Sequence, residues 1–130
     1  MTTSELDRLA EELGIDVVGA AAAEPYAETE RLIAERRSRG LFAEMRFTMA
    51  QPEVSCHPET LLPGALTVVS AAQCYYAPGP EPEAAEGRLP RYTWADGYAE
   101  LREKLDELGR RLGRSNRVLV DENQHVDREG

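Results

Sequence analysis

The chain has 130 residues, of which 42% are hydrophobic and 30% charged, a globular composition able to bury roughly two-thirds of its unfolded surface. Its net charge of −9 and pI near 4.7 leave no basic stripe of the kind an autonomous nucleic-acid binder needs, so cations for any nucleic acid must come from elsewhere. No apolar run approaches the ~20 residues of a membrane span, the opening MTTSELDRLAEE is unlike a signal or transit peptide, and two cysteines suit a reducing cytoplasm better than a disulfide scaffold.

Residues 4–13 predict a helix. Ser4 can cap it, Asp7 completes an S-x-x-D box, and Leu6, Leu9, Ala10 and Leu13 share one face. Gly14 is a natural stop, and Ile15 to Ala20 (IDVVGA) predicts a short buried strand. After a loop at 21–24, Pro25 is placed to open a second helix that runs to about Arg39, with Gly40 ending it. Residues 41–50 (LFAEMRFTMA) read as a further helical piece. Its stripe of Phe42, Met45, Phe47 and Met49 serves either as core or as a wall facing a cofactor.

Pro52, Pro58, Pro63 and Gly64 confine residues 51–64 to turns and at most a short helix. The run 65–76 (ALTVVSAAQCYY) is nearly uncharged, as in a strand buried on both faces. Residues 77–87 (APGPEPEAAEG) predict a mobile loop inside one domain. Asp96 can cap a third helix, whose Leu101, Leu105, Leu108 and Leu112 form one apolar face, and Glu100 and Lys104 pair along it. Gly113 closes that helix, and 117–120 predict the last strand. Helices alternating with three strands indicate an α+β fold, a mixed sheet with helices packed on it. Three strands are few for a sheet covered on both faces.

The signatures of nucleotide-binding loops, zinc proteases and α/β-hydrolases do not occur. Cys56-His57 has the form of half a metal site but no second pair, so these residues read as ordinary groups, with no metal site. Two constellations remain. The first, Arg91-Tyr92-Thr93-Trp94-Ala95-Asp96-Gly97-Tyr98, holds the only Trp beside a helix start. Its aromatics either anchor that start or make a platform for a flat ligand, with the helix N-terminus as a place for an anion. The second is the closing VLVDENQHVDREG, in which a short apolar run delivers Asp121 to a polar segment with Glu122, Asn123, His125, Asp127 and Arg128. An acid at the end of a strand is a common place for catalysis, because partial desolvation favours a protonated carboxyl. Capping a following helix is the other use open to Asp121.

Five segments in collinear order resemble the N-terminal region of epoxyqueuosine reductase. They are AEELGIDVVGAAAAEP, the G-x-x-x-x-M of RRSRGLFAEMRFTMAQPE, the LLPGA and YY of ETLLPGALTVVSAAQCYY, the R-Y-x-W-x-x-x-Y of GRLPRYTWADGYAELREKL, and VLVDENQHVDREG. The resemblance spans almost all of residues 1–130. It implies an oxidoreductase of queuosine biosynthesis in tRNA processing, which reduces epoxyqueuosine to queuosine with cobalamin and two four-iron clusters. It further implies that Asp121 is the acid that protonates the opening epoxide oxygen. Arg91, Tyr92, Trp94 and Tyr98 would lie on the cobalamin- and substrate-facing side. The family's Asp-Tyr-His stands here as Gly97-Tyr98-Ala99, with Asp96 as a possible stand-in.

The family's glycine-rich G-L-G-W segment and its cluster-binding cysteine runs do not occur in these residues. The resemblance therefore implies a truncated form or split subunit, cytoplasmic and inactive alone. Its partners would be tRNA and a missing C-terminal half. A non-catalytic binding or assembly module is the alternative, and a remnant of a frameshifted gene is a third.

Overall fold

The computed structural model describes residues 2–43, 49–79, 89–121, 123, 125 and 126. Of the groups singled out above, Met45, Phe47, Glu122, Asp127, Arg128 and residues 80–87 of the acidic loop lie outside them. The described elements run α1 (Thr3–Leu13), β1 (Val17–Ala22), α2 (Ala27–Ser38), the single-turn α3 (Pro52–Ser55), β2 (Thr67–Ala72) and α4 (Gly97–Leu112), with 3-10 turns at Pro58–Thr60 and Arg91–Thr93. The two strands pair antiparallel, and the fold is α+β.

The described residues divide into two compact units. One comprises residues 1–18 and 71–114, the other 19–70 and 115–130, so each strand passes from one unit into the other. In the first unit α1 packs on α4, burying Leu6, Leu9, Ala10, Ile15 and Leu108. Helix α1 is capped two residues earlier than the Ser4 cap predicts. Thr2 is the cap, its hydroxyl accepting from the Glu5 N–H at 3.2 Å, and Thr2-Glu5 has the spacing that a capping box uses. Gly14 ends α1 at φ 67°, where a residue with a Cβ would be strained. Asp96 caps α4 as expected, its carboxylate accepting from the Ala99 N–H at 3.0 Å. That bond commits Asp96 to the helix start.

Lys104 knots this unit together. Its ammonium donates to the Gly14 carbonyl, to Gln73 Oε1 and to Glu100 Oε1, each at 2.9 Å, which uses all three of its N–H groups. A cation on the last carbonyls of α1 also meets the negative end of that helix. The pair that the sequence offers as a surface ornament of α4 is thus the joint between α1, the end of β2 and α4.

The second unit has a small core of Tyr26, Ile33, Cys56 and Val126, with Met49 packed against it. Tyr26 N–H donates to Cys56 O at 2.8 Å, and Val126 N–H donates to Ser55 O at 2.9 Å, so three distant stretches of chain meet there. Helix α2 starts at Ala27, two residues after Pro25, and buries Thr29 and Ile33. Its acidic first turn and basic last turn both complement its dipole.

Three sheet expectations are corrected, the first being the buried strand at 15–20: β1 lies at Val17–Ala22 and none of its residues is buried. Residues 117–120 form no strand: Val118, Leu119 and Val120 are half-buried without joining a ladder, and the positive φ of Asp121 (44°) turns the chain out of the extended region immediately after them. Burial of both faces of β2 is also overturned. Thr67, Ser70 and Ala72 are exposed and the intervening residues only half-buried, while Val17 and Leu66 are exposed at 63% and 85%. A two-stranded sheet has two unpaired edges.

Candidate functional site

In the first unit, β2 delivers Tyr75 and Tyr76 to its end, and the turn Arg91–Thr93 brings the chain back beside them at the start of α4. Pro90 leads into that turn, and Thr93 Oγ1 donates to its carbonyl at 2.8 Å, which tightens the approach to the cap at Asp96. The guanidinium of Arg91 lies over the ring of Tyr76, 4.7 Å from its centroid, and over the indole of Trp94 at 5.0 Å. Arg91 Nη1 also donates to the carbonyl of Ala77. Tyr92 meets Tyr75 edge to face, with centroids 6.4 Å apart.

Three of the four predicted cofactor-side residues therefore belong to one aromatic and cationic cluster: Arg91, Tyr92 and Trp94. Tyr98 sits in the first turn of α4, half-exposed. About half of the surface of Tyr92, Trp94 and Tyr98 remains open, and about two-thirds of that of Tyr75 and Tyr76. Such exposure is unusual for so many aromatics in one place, since a burial worth roughly 1.5–3 kcal/mol per large side chain goes unused. Stacking on Arg91 recovers part of it through cation–π attraction. The sequence places Tyr75 and Tyr76 at the end of a predicted strand and assigns them no role. Their pairing as adjacent tyrosines before a loop was the signal.

Asp121 belongs to the second unit, and its residue is exposed. Its carbonyl accepts from the Asn123 backbone N–H at 2.8 Å and from Asn123 Nδ2 at 3.2 Å, and Asn123 Oδ1 accepts from the His125 N–H at 2.8 Å. This polar turn carries the chain from an exposed acid to a buried histidine. Asp is one of the few residues with a Cβ that occupy positive φ readily. Any desolvation of this carboxylate has to come from a bound molecule or another segment.

His125 is a core residue, its ring edge-on to Tyr26 at 5.1 Å. Its Nδ1 lies 2.9 Å from the Val126 carbonyl, which sets Nδ1 as the donor, and Nε2 has no partner among the described residues. Cys56 is fully buried beside Ser55, whereas His57 Nε2 lies 3.0 Å from Glu30 Oε2, so Cys56 serves the core and His57 a hydrogen bond to α2.

Cys74 is exposed and Cys56 buried, and among the described residues no group of three or more His, Cys, Asp or Glu could hold a metal ion. A four-iron cluster takes four thiolates, so these residues do not fit one. No helix among the described residues is long and apolar enough to cross a membrane.

Residues 56–127, more than half of the chain, match the family model described as Epoxyqueuosine reductase QueG, DUF1730. The matched stretch takes in the aromatic cluster of the first unit and the Asp121 turn of the second. No curated protein and no solved structure matches the chain.

Proposed function

The chain belongs to the epoxyqueuosine reductase family, and from that premise we propose that it supplies the cobalamin- and substrate-facing part of an oxidoreductase that converts epoxyqueuosine in tRNA to queuosine. The observation that carries this reading is the cluster of Arg91 over Tyr76 and Trp94, with Tyr92 against Tyr75 and each of these aromatic side chains about half or more exposed. Flat exposed rings suit the face of a corrin macrocycle, and an arginine beside them offers donors to its amide fringe or to a phosphate. Arg91, Tyr92, Trp94 and Tyr98 are the residues that would hold it. When bound, cobalamin supplies the redox chemistry at the substrate carbon.

Removing the epoxide oxygen as water consumes two electrons and two protons. The chain's own contribution to that balance is a proton. Asp121 holds it at the carboxyl and passes it to the epoxide oxygen as the C–O bond opens, since an unprotonated alkoxide is a poor leaving group. The two electrons would have to come from an external reductant, because two cysteines do not make up the four thiolates of an iron–sulfur cluster. Net charge of −9 also leaves the cations that hold tRNA to another segment or partner. A cytoplasmic setting follows from a tRNA substrate.

A second reading, a binding or assembly module without redox function, is favoured by the cysteine set: two thiols, one buried and one exposed, with no cluster-ligating run. Titration with cobalamin separates the two. The proposed function expects an absorbance change that saturates with the wild-type chain, weakens in Arg91→Ala, and persists in Asp121→Asn, whose carboxyl acts on substrate. In an active assembly supplied with the cluster-bearing region, Asp121→Asn should lower turnover about 10²–10⁴-fold. Unchanged turnover removes Asp121 as the acid. A folded wild-type chain that gives no absorbance change leaves the module reading standing.

A further inference from the structure

Gly79 stands at the edge of the aromatic cluster, three residues beyond Tyr76. A Cβ built on it falls well inside 3.0 Å of Trp94 Cζ3 and Cη2, a separation that real Cβ atoms essentially never show. The outer edge of the indole therefore rests on the bare backbone of Gly79. Two residues earlier, the Ala77 carbonyl takes the Arg91 guanidinium. The short segment 77–79 thus holds both members of the Arg91–Trp94 stack, Arg91 by a hydrogen bond and Trp94 by close approach.

Gly79 does not have the positive φ that makes Gly14, Gly40, Gly64 and Gly113 conformationally special. The φ of Gly79 is thus no bar to alanine, and the three nearest atoms among the described residues all belong to the indole. Five glycines among the described residues, Gly19, Gly40, Gly64, Gly97 and Gly113, have nothing within 4 Å of such a Cβ. The requirement for a missing side chain is specific to the place where Trp94 lies.

We infer that Gly79 is a positioning residue for Trp94: its lack of a side chain sets where the indole sits, and through the indole the geometry of the Arg91 stack. Because Trp94 is 47% exposed and the touching atoms are at the far end of its ring, a methyl at 79 pushes the ring outward and leaves the unit folded. The consequence for cofactor binding rests on the proposed function. The seat itself does not.

Trp94 is the only tryptophan in the chain, so its fluorescence reads the seat directly. In Gly79→Ala, emission should move to longer wavelength and acrylamide quenching should rise, with far-UV circular dichroism unchanged. Gly97→Ala, which adds the same methyl to open space in the same unit, should leave both where they are in the wild type. Unaltered emission in Gly79→Ala, or an equal change in Gly97→Ala, overturns the inference.

Should Gly79→Ala fail to fold, the double variant with Trp94→Phe decides the matter. Refolding in that background supports the seat, because a smaller ring clears the methyl, and continued unfolding refutes it. Cobalamin titration of the same samples completes the test. Weaker binding in Gly79→Ala extends the inference to the cofactor site. A wild-type chain that binds no cobalamin defeats the proposed function and leaves the optical result intact.

Discussion

Leu105 and Leu108 stand three residues apart on the apolar face of α4, yet Leu108 is buried and Leu105 only half so. Truncating Leu108 opens a cavity in the packing of α4 against α1, so Leu108→Ala should cost about 2–5 kcal/mol. Leu105→Ala, which uncovers less surface, should cost about 1 kcal/mol. Urea unfolding of the two variants measures the difference, and equal losses would mean that Leu105 is packed as deeply as Leu108. The stripe was legible in the sequence, because a 3.6-residue period fixes which face turns inward. Its depth was not, because that depends on where Leu6, Leu9 and Ala10 of α1 come to rest. Asp121 teaches the same lesson. Its residue type and its place after Val118-Leu119-Val120 were readable, while its exposure and positive φ depend on a turn built by Asn123.

At the scale of elements, local chemistry was the readable part. Gly14, Asp96 and Gly113 bound their helices as their residue types require, and the three long helices stand within a few residues of where periodicity puts them. Strands were harder, because a strand exists only with a partner. The apolar run at 117–120 has the composition of a strand and lacks the ladder. The cross-element role of Lys104 was likewise invisible, since two of its three acceptors lie far away in sequence.

That knot has a pH signature. Hydrogen bonds from Lys104 first, and from Gln73 second, hold the Glu100 carboxyl below its ordinary value of 4.5. A carboxylate with a depressed folded value stabilises the fold at pH above its unfolded value, and that contribution is lost as pH falls through the folded value. Glu107, held down by Arg111, acts in the same sense. Glu100→Gln should therefore be less stable than wild type at neutral pH, and the gap should close in acid. Comparing urea midpoints at about pH 7 and about pH 3 tests this, and a gap that stays constant would mean that Glu100 contributes nothing through its charge.

At the scale of the whole molecule, the division into two units poses a question of cooperativity. Neither unit is a continuous stretch of chain: each is assembled from two segments, and both β1 and β2 run through the boundary. Each unit holds only part of both strands, two residues of each in the first and four in the second. Two strands alone are marginal in water, so neither part has much stability of its own. The expected consequence is a single transition, and the chain carries a natural reporter in each unit. Trp94 fluorescence follows the first. In the second, Cys56 is fully buried, so its thiol should react only on opening, while the exposed Cys74 reacts at once and can be removed as Cys74→Ser. With denaturant, the loss of native Trp94 emission and the onset of Cys56 labelling should share one midpoint. Separate midpoints would show that one unit survives the loss of the other, and that the aromatic cluster can be lost or kept independently of the turn that carries Asp121.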